Sequence, residues 1–449
     1  MQVNPKIFKA YDVRGIAGSE ITSELSYAVG RGFAALFLKN PENRKAVVGQ
    51  DARPTSAEFT KELIRGLRDG GADVIGIGLV TTPLFYFSVN ASEAAGGIMV
   101  TASHNPAEYN GFKVVKEKAV AIGLDTGLGG LRDLVMKEEF GEPVPESSFS
   151  EANFLRQYLD SLTQGVHLKK FNIAIDAGNG MIGVVLPKFL GRLGIEAHSL
   201  YLEPDCTFPN HEANPLKEET LVDLKALMRE HAVDFGVAFD GDGDRIGFVL
   251  SDGQVVLGDI MLAFLVKEYL ALSPGSAVVY AVNCSHIVPE TILSYGGKPI
   301  RSKIGHTLIK EKMKETGAIL GGEMSTHYAY KELGGVESTM LTLIRVCQAL
   351  TRSGKTLKEA LRPFMKYAKT PEMNFSVNDK EAKLQELSGA YQDGKQDWLD
   401  GLTVEYDTWW FNARLSNTEP LLRLCVEANS KELLERKLEE LKLLMRNKE

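Results

Sequence analysis

A strand–helix–strand pattern occurs three times along the chain and constrains its fold more than any other feature. Each copy has a short apolar strand, a polar turn, a stretch with apolar residues three and four positions apart, and a second strand. The copies begin at Lys45, Phe171 and Ser276. Strands joined through a helix in this way pair in parallel by right-handed crossovers. The sequence therefore predicts an α/β protein with three related mixed α/β domains.

The C-terminal part has a different pattern and predicts a smaller α+β domain. Residues 409–428 suggest two strands around a short loop, and Ser430 is a good N-cap for the amphipathic helix that follows. Polar stretches near residues 141–153 and 368–374 suggest linkers. The predicted domains are 1–150, 151–255, 256–367 and 368–449.

The charge of the chain disfavours two classes of partner, and its cysteines disfavour two kinds of structural site. The 449 residues include 51 Lys and Arg against 59 Asp and Glu, a formal net charge of -8. That excess disfavours nucleic acids and anionic membranes, so a phosphorylated ligand must be met by local basic groups. The four cysteines are far apart and form no CxxC pair, which indicates neither a disulfide framework nor a zinc site. Without a secretory signal or an apolar run of about 18 residues, we expect a cytoplasmic protein.

Three alternating aspartates are the strongest chemical signal in the chain. Asp240, Asp242 and Asp244 are separated by single glycines and flanked by two apolar strands. Carboxylates at this spacing repel one another unless a cation neutralises them, and their oxygens suit Mg²⁺ or Ca²⁺. An EF-hand does not fit, because its sixth position would be Arg245 and its twelfth Ser251.

A polar turn over residues 101–106 contains a candidate nucleophile. Ser103 lies just after the apolar run 96–100 and is followed by His104, a placement typical of an exposed nucleophile. The same residues also fit a turn whose Ser and Asn side chains bond their own backbone. The chain has no G-x-S-x-G elbow around this serine, so an acyl hydrolase is not indicated.

Near the C-terminus, Arg414 and Arg423 bracket Ser416, Asn417 and Thr418. Two guanidinium groups with hydroxyl and amide donors can form a phosphate clamp, although an ordinary turn between strands has the same composition. Because Arg423 falls inside a predicted strand, we expect it to be held more firmly than Arg414.

A fourth candidate region lies between residues 303 and 327. His306 and His327 are each beside small or hydroxyl residues, and Glu323 and Ser325 could hydrogen-bond sugar hydroxyl groups. The sequence alone does not decide between a binding role and a structural role for the two histidines.

Six motifs taken in order make the sequence recognisable. FKAYDVRG, TASHNP, PNHEANPL, DGDGDR, GEMSTH and SNTEP together resemble the α-D-phosphohexomutase family, and most of all its bacterial phosphomannomutase/phosphoglucomutase branch. The resemblance runs from about Phe8 to the C-terminal helix. It implies four domains around a central active-site cleft and interconversion of hexose 1-phosphate and hexose 6-phosphate. Mannose phosphate is the expected preference, with glucose phosphate as the alternative main substrate.

The resemblance also assigns roles to residues. Ser103 is expected to carry a phosphoryl group and, with the three aspartates, to bind Mg²⁺. Hexose 1,6-bisphosphate is the expected intermediate and activator, and sugar phosphates are the expected partners of a monomer or dimer. The implied catalytic residues are Ser103, His104, Lys113, Arg14 and His327, with Lys113 and His327 as acid/base candidates. The implied substrate-binding residues are Tyr11, Arg245, His306, Glu323, Ser325, Arg414, Ser416, Asn417, Thr418 and Arg423.

Three residues depart from the family pattern. Thr326 stands where many family members have Gly, and Leu415 stands where Pro is usual. Asn283 falls in a stretch that is often basic in the family. These departures bear on which sugar is preferred, and not on the reaction.

Two other functions stay open at this point. One is a haloacid-dehalogenase-like phosphatase with Asp240 as nucleophile and Asp242 as acid, and the other is a non-catalytic sugar-phosphate sensor.

Overall fold

The computed structural model describes residues 3–144, 146–415 and 421–446, which form two compact units. The first unit comprises Met1–Val256 and Ser325–Leu357, and the second Leu257–Met324 and Lys358–Glu449. The domain predicted over 256–367 contributes to both units. The predicted boundaries at 150, 255 and 367 stay predictions.

The first α/β domain is built on a mixed sheet with strand order β1-β5-β4-β2-β3-β7 and with β6 paired to β5. Its central strands β4, β2 and β3 are parallel, and β5 is antiparallel to both β4 and β1. The strands are β1 (Val13–Ile16), β2 (Lys45–Gln50), β3 (Asp73–Leu79), β4 (Gly96–Val100), β5 (Tyr109–Lys116), β6 (Val120–Ala121) and β7 (Phe149–Glu151). The helices are α1 (Ser23–Phe37), α2 (Ser56–Asp69), α3 (Thr82–Ala91) and α4 (Leu128–Lys137).

The second domain has a five-stranded sheet of order β12-β11-β10-β8-β9. Strands β9, β8 and β10 run parallel, whereas β11 turns back against β10, so the aspartate loop joins two antiparallel neighbours. The strands are β8 (Asn172–Asp176), β9 (Glu196–Leu200), β10 (Phe235–Phe239), β11 (Ile246–Leu250) and β12 (Val255–Val256). The helices are α5 (Leu155–Thr163), α6 (Leu186–Leu193) and α7 (Val222–Glu230).

The third region is shared by the two units. In the second unit three parallel strands have the order β14-β13-β15, and in the first unit β16 and β17 form an antiparallel pair. The strands are β13 (Ala277–Ala281), β14 (Lys298–Ser302), β15 (Leu320–Gly322), β16 (Tyr328–Tyr330) and β17 (Val336–Glu337). The helices are α8 (Gly258–Leu272), α9 (Ile287–Ser294), α10 (His306–Thr316), α11 (Thr339–Ser353) and α12 (Leu357–Leu361).

The C-terminal domain is an antiparallel sheet packed against two helices, with strand order β18-β23-β22-β21-β20 and β19 paired to β23. Ser430 caps the last helix as predicted, since its side chain accepts from Leu433 N. The strands are β18 (Ala368–Lys369), β19 (Met373–Phe375), β20 (Lys395–Asp397), β21 (Leu402–Glu405), β22 (Trp409–Leu415) and β23 (Leu422–Ala428). The helices are α13 (Lys380–Ala390) and α14 (Lys431–Met445).

This architecture confirms the predicted fold class. Each strand–helix–strand copy is a parallel pair with an intervening helix: β2 with β3, β8 with β9, and β13 with β14. The α+β prediction for the C-terminal domain is also correct. All four cysteines are buried free thiols, and no helix in the described ranges is long and apolar enough to cross a membrane.

Candidate active site

Ser103 lies in the loop after β4, with its hydroxyl between a carboxylate and an imidazole. Its Oγ is 3.1 Å from Asp240 Oδ2 and 3.2 Å from His104 Nδ1. The residue is 4% exposed and has a φ of +53°, a left-handed conformation that is uncommon outside glycine. Its N–H donates to Thr101 Oγ1 at 3.0 Å. The loop therefore holds the serine in an unusual backbone conformation directed at the aspartate loop.

The aspartate loop brings its three carboxylates together, as the sequence predicts. Asp240, Asp242 and Asp244 are at most 1% exposed, and one oxygen from each lies within 4.8 Å of the others. Asp240 Oδ1 also accepts from the backbone N–H groups of Asp244 and Arg245, both at 3.1 Å. The loop thus folds back on its own first carboxylate.

Lys113, on β5, is the cation nearest to these carboxylates. Its Nζ lies 2.5 Å from both Asp242 Oδ2 and Asp244 Oδ2. Burial alone would lower the pKa of Lys113, but the two carboxylates raise it well above its usual value. Burial and the neighbouring Asp244 and Asp242 raise the pKa of Asp240 well above its usual value. Lys113 thus faces two of the three carboxylates, and Arg245 Nε lies 3.8 Å from the third, at Asp240 Oδ2.

The donor set fits a divalent cation. Asp242 Oδ2 accepts from Thr82 Oγ1 at 2.6 Å, which fixes the carboxylate, while its buried Oδ1 has no hydrogen-bond partner. Burial and Asp244 act to raise the pKa of Asp242, but Lys113 and Thr82 outweigh them and lower it, which favours an ionised ligand. Clustered, buried carboxylate oxygens are the ligands that Mg²⁺ prefers.

Arg245 and His327 extend the site beyond the aspartates. Arg245 Nε donates to His327 Nε2 at 3.2 Å. This histidine nitrogen, His327 Nε2, also lies 3.2 Å from Asp244 Oδ1. His327 Nδ1 is 3.1 Å from Ser325 Oγ. The structure therefore links three predicted site residues, Arg245, His327 and Ser325, to the predicted metal ligands.

Arg14 approaches the serine loop from β1. Its Nη1 donates to Asn105 Oδ1 at 2.6 Å, and its Nη2 pairs with Asp12. Burial, followed by the positive charges of Arg245 and Arg14, holds the pKa of His104 well below its usual value. A neutral imidazole therefore lies beside the Ser103 hydroxyl. Tyr11, also predicted at this site, is partly buried just before β1.

The remaining predicted residues belong to the second unit. His306 is the first residue of α10, and Glu323 Oε2 accepts from the neighbouring Gly305 N at 3.1 Å. Arg414 and Arg423 are directly opposite each other on β22 and β23. Ser416, Asn417 and Thr418 lie outside the described residues.

Glu372, which the sequence analysis did not single out, bridges Arg414 and Arg423, the two arginines of the predicted phosphate clamp. Its carboxylate accepts from Arg414 Nε and Nη2 at 2.9 and 3.0 Å, and from Arg423 Nη1 at 3.4 Å. The Arg414 side chain is 3% exposed and that of Arg423 is 25% exposed. The expectation that Arg423 is held more firmly is therefore wrong, because Arg414 has the buried, bidentate contact.

Two threonines that hold the aspartate loop were also missed. Thr82, at the start of α3, bonds Asp242, and Thr339 Oγ1, at the start of α11, donates to Gly243 O at 2.9 Å. Thr81 and Pro83 mark the start of α3 in the sequence, but nothing local indicates that this helix end faces the aspartates.

The three residues predicted to depart from the family pattern occupy distinct positions. Thr326 has a φ of +67° and is 2% exposed, so a β-branched residue adopts a conformation that glycine favours. Leu415 ends β22. Asn283 is buried, and its Nδ2 donates to Glu372 Oε1 at 3.3 Å.

Comparison with protein-family models shows which family this chain matches. Models of phosphoglucomutase/phosphomannomutase α/β/α domains I, II and III match residues 5–140, 156–253 and 257–367, and the C-terminal domain model matches residues 372–444. The chain belongs to the phosphoglucomutase/phosphomannomutase family. The resemblance based on the six motifs is thereby confirmed, and the phosphatase alternative is not favoured.

Curated relatives extend the match to almost the whole chain. A phosphomannomutase/phosphoglucomutase of Pseudomonas aeruginosa is 37% identical over 96% of this chain and 93% of its own. A phosphomannomutase of Methanocaldococcus jannaschii is 36% identical over 98% and 97%.

Solved structures show the same fold. A phosphoglucomutase/phosphomannomutase family protein of Burkholderia thailandensis has a TM-score of 0.91 at 32% identity, covering 99% of this chain and 97% of its own. An N-acetylphosphoglucosamine mutase of Aspergillus fumigatus, in complex with GlcNAc-6P and magnesium, has a TM-score of 0.63 at 15% identity, covering 98% and 96%.

Proposed function

We propose that this phosphohexomutase interconverts hexose 1-phosphates and hexose 6-phosphates through a phosphorylated Ser103. The observation that carries the proposal is the 3.1 Å contact between Ser103 Oγ and Asp240, one of three buried aspartates. Once Ser103 is phosphorylated, its negatively charged phosphate would be repelled by the neighbouring carboxylates unless a cation lay between them. Membership of the phosphoglucomutase/phosphomannomutase family supports this assignment.

Asp240, Asp242 and Asp244 would hold Mg²⁺ together with Ser103. When bound, the cation supplies charge that offsets the developing negative charge of phosphoryl transfer. The Aspergillus mutase, described in complex with magnesium, supports the choice of metal.

The first half-reaction moves the phosphoryl group from Ser103 to the sugar. The free hydroxyl oxygen of the hexose phosphate forms a bond to phosphorus as the Ser103 Oγ–phosphorus bond breaks. We assign His327 to take the hydroxyl proton and to release it again, while the Ser103 oxygen takes up one proton as it leaves phosphorus, so that the half-reaction neither gains nor loses a proton. His104 Nδ1, 3.2 Å from Ser103 Oγ, would hydrogen-bond the hydroxyl group that forms. Because Lys113 is committed to two salt bridges, we assign it to charge stabilisation and not to proton transfer.

The second half-reaction returns the other phosphoryl group to Ser103. The hexose 1,6-bisphosphate reorients in the site. The phosphate that the sugar carried at the start then becomes the group that is transferred. Arg414 and Arg423, with Ser416, Asn417 and Thr418, would hold the phosphate that is not reacting. Glu323 and Ser325 would bind the sugar hydroxyl groups, with Tyr11, Arg14, Arg245 and His306 completing the substrate site. If the bisphosphate escapes, the enzyme is left unphosphorylated, so added hexose 1,6-bisphosphate should activate it.

Intact mass and a coupled assay test the proposal. We expect the purified enzyme, treated with glucose 1,6-bisphosphate, to gain one phosphate that maps to Ser103. We also expect it to convert mannose 1-phosphate and glucose 1-phosphate, with mannose preferred. Absence of phosphate on Ser103 in an enzyme that turns over would contradict the mechanism, and a higher kcat/KM for glucose 1-phosphate would reverse only the sugar preference.

A further inference from the structure

Arg53 holds the loop that carries Ser103 through its main chain. Its Nη2 donates to the carbonyl oxygens of Ser103 and Asn105 at 3.0 and 2.6 Å, and its Nη1 to those of Pro106 and Tyr109 at 2.6 and 2.9 Å. The residue is 2% exposed. Hydrogen bonds from a charged donor are stronger than neutral ones, and burial removes competition from water. One side chain therefore fixes four carbonyl groups of this loop.

The guanidinium group is itself held in place. Its Nε donates to Asp51 Oδ2 at 3.1 Å, and Asp51 Oδ1 accepts from Ser56 Oγ at 2.5 Å. The Phe208 ring lies 5.4 Å from the guanidinium carbon. An arginine side chain has five N–H donors, and here one goes to Asp51 and four go to the loop. Arg53 therefore has no donor left for a substrate.

Ser103 is the residue that most needs such support. Its φ of +53° belongs to a sparsely populated region, and a residue keeps such a conformation only when its surroundings impose it. Thr101 Oγ1 accepts from the N–H of Ser103, and Arg53 donates to its carbonyl oxygen. The peptide groups on both sides of the serine are thus restrained, and the side-chain oxygen is left directed at Asp240.

We propose that Arg53 is a positioning residue for phosphoryl transfer. It keeps Ser103 in the left-handed conformation that places Oγ beside Asp240, and it acts only through the loop. The inference rests on the proposed transfer through Ser103. Because Arg53 does not contact substrate, its loss lowers kcat and leaves KM nearly unchanged.

Arg31 offers a matched control for the experiment. It is 5% exposed, donates to the carbonyl oxygens of Phe140 and Gly141 at 3.2 and 2.6 Å, and lies over the Phe140 ring at 5.7 Å. Arg31 thus resembles Arg53 in burial, in its carbonyl partners and in its aromatic neighbour, but it holds a different segment. Comparing Arg53→Lys with Arg31→Lys separates positioning of Ser103 from a general loss of stability.

We expect Arg53→Lys to lower kcat by about tenfold to a hundredfold, because a displacement of about 1 Å at a reacting group has an effect of this size. KM for mannose 1-phosphate should change by less than about twofold, since no substrate contact is lost. Arg31→Lys should also lower the melting temperature, since buried hydrogen bonds are lost, but it should keep wild-type kcat. A folded Arg53→Lys enzyme with wild-type kcat, or equal losses of kcat in both variants, would overturn the proposal.

A milder variant keeps the test decisive if Arg53→Lys does not fold. Asp51→Asn retains an oxygen acceptor for Arg53 Nε but removes the charge that orients the guanidinium, so kcat should fall by a smaller factor with KM unchanged. Wild-type kcat in a folded Asp51→Asn enzyme would also overturn the inference. A wild-type enzyme that turns over without phosphate on Ser103 would refute the proposed function and this inference together. Normal wild-type phosphorylation with an unimpaired Arg53→Lys enzyme would refute the inference alone.

Discussion

The backbone at Gly241 lies against the carbonyl oxygen of Ser103, and a Cβ atom at Gly241 would be only 2.4 Å from that oxygen. The serine loop of the first domain and the aspartate loop of the second therefore meet backbone to backbone. The sequence indicates this glycine only as a spacer between carboxylates. In the structure it allows the close approach that brings Ser103 Oγ to Asp240.

Gly241→Ala should separate the two loops and lower kcat by about tenfold to a hundredfold, the range expected for a displacement of about 1 Å. Steady-state kinetics and the Ser103 phosphate content would be measured together. Gly191→Ala is the control, because a Cβ atom there meets nothing within 4 Å, and its kcat should equal that of the wild type. Wild-type kcat in Gly241→Ala would show that the close approach is not needed for catalysis.

Removing the metal should abolish activity. Dialysis against a chelator is expected to inactivate the enzyme and excess Mg²⁺ to restore it, because three buried carboxylates need a cation between them. Asp242→Asn removes one ligand charge and should weaken Mg²⁺ binding, measured by calorimetry, while the fold is retained. Activity that persists after chelation, with no metal detected by elemental analysis, would contradict the assignment of the aspartate loop.

Local patterns in the sequence were sufficient to predict the fold class and the cluster of carboxylates. Hydrophobic periodicity predicted the parallel strand pairs, and the alternating aspartates predicted a carboxylate cluster, because both signals come from neighbours in the chain. Ser430 as a helix N-cap was predicted for the same reason.

Contacts between distant segments could not be predicted in this way. Lys113 meets Asp242 across 129 residues, and Glu372 meets Arg414 across 42. No periodicity or turn chemistry encodes these pairs, since they arise when separate strands are packed together. Arg53 was overlooked for the same reason, because its partners Asn105 and Pro106 lie more than 50 residues away.

The clamp arginines should differ in their effect on stability and agree in their effect on binding. Arg414→Lys loses a buried bidentate contact with Glu372, so it should lower the free energy of unfolding by about 1.5–3 kcal/mol, whereas the more exposed Arg423→Lys should lower it less. Both variants should raise KM for the 1-phosphate and the 6-phosphate. Urea denaturation and kinetics in both directions measure these effects. Impairment with only one of the two phosphates would argue against a single clamp that serves both ends of the sugar.

Thr326→Gly should stabilise the protein. A non-glycine residue in the left-handed region destabilises the fold by about 1–3 kcal/mol. Glycine removes this strain, but its greater flexibility in the unfolded chain costs about 0.5–1 kcal/mol of stability. The Thr326 hydroxyl is also buried without a hydrogen-bond partner. We therefore expect the free energy of unfolding to rise by about 1 kcal/mol in urea denaturation. A decrease would mean that packing of the threonine side chain outweighs its backbone strain.

His211 should make stability depend on pH in a predictable direction. Its Nε2 is 2.9 Å from Asp176 Oδ2 and its Nδ1 is 2.9 Å from the carbonyl oxygen of Glu212, so both ring nitrogens face acceptors and the protonated ring satisfies both. The hydrogen bond to Asp176 raises the pKa of His211, burial opposes the rise, and the Glu212 carbonyl adds to it. Because the pKa is higher in the folded protein than in the unfolded chain, protonation favours folding.

The stabilisation by His211 should be complete below the unfolded pKa, near 6.5, and should be lost as pH rises through the higher folded value. The measurement is the free energy of unfolding of the wild type and of His211→Gln at several values between about pH 5 and pH 9. The difference between the two proteins should be largest at the acidic end and should shrink as pH rises. His167→Gln, which replaces an exposed histidine, controls for the general effect of removing an imidazole. A difference that stays constant over this range, or grows with pH, would show that the charged pair with Asp176 does not stabilise the fold.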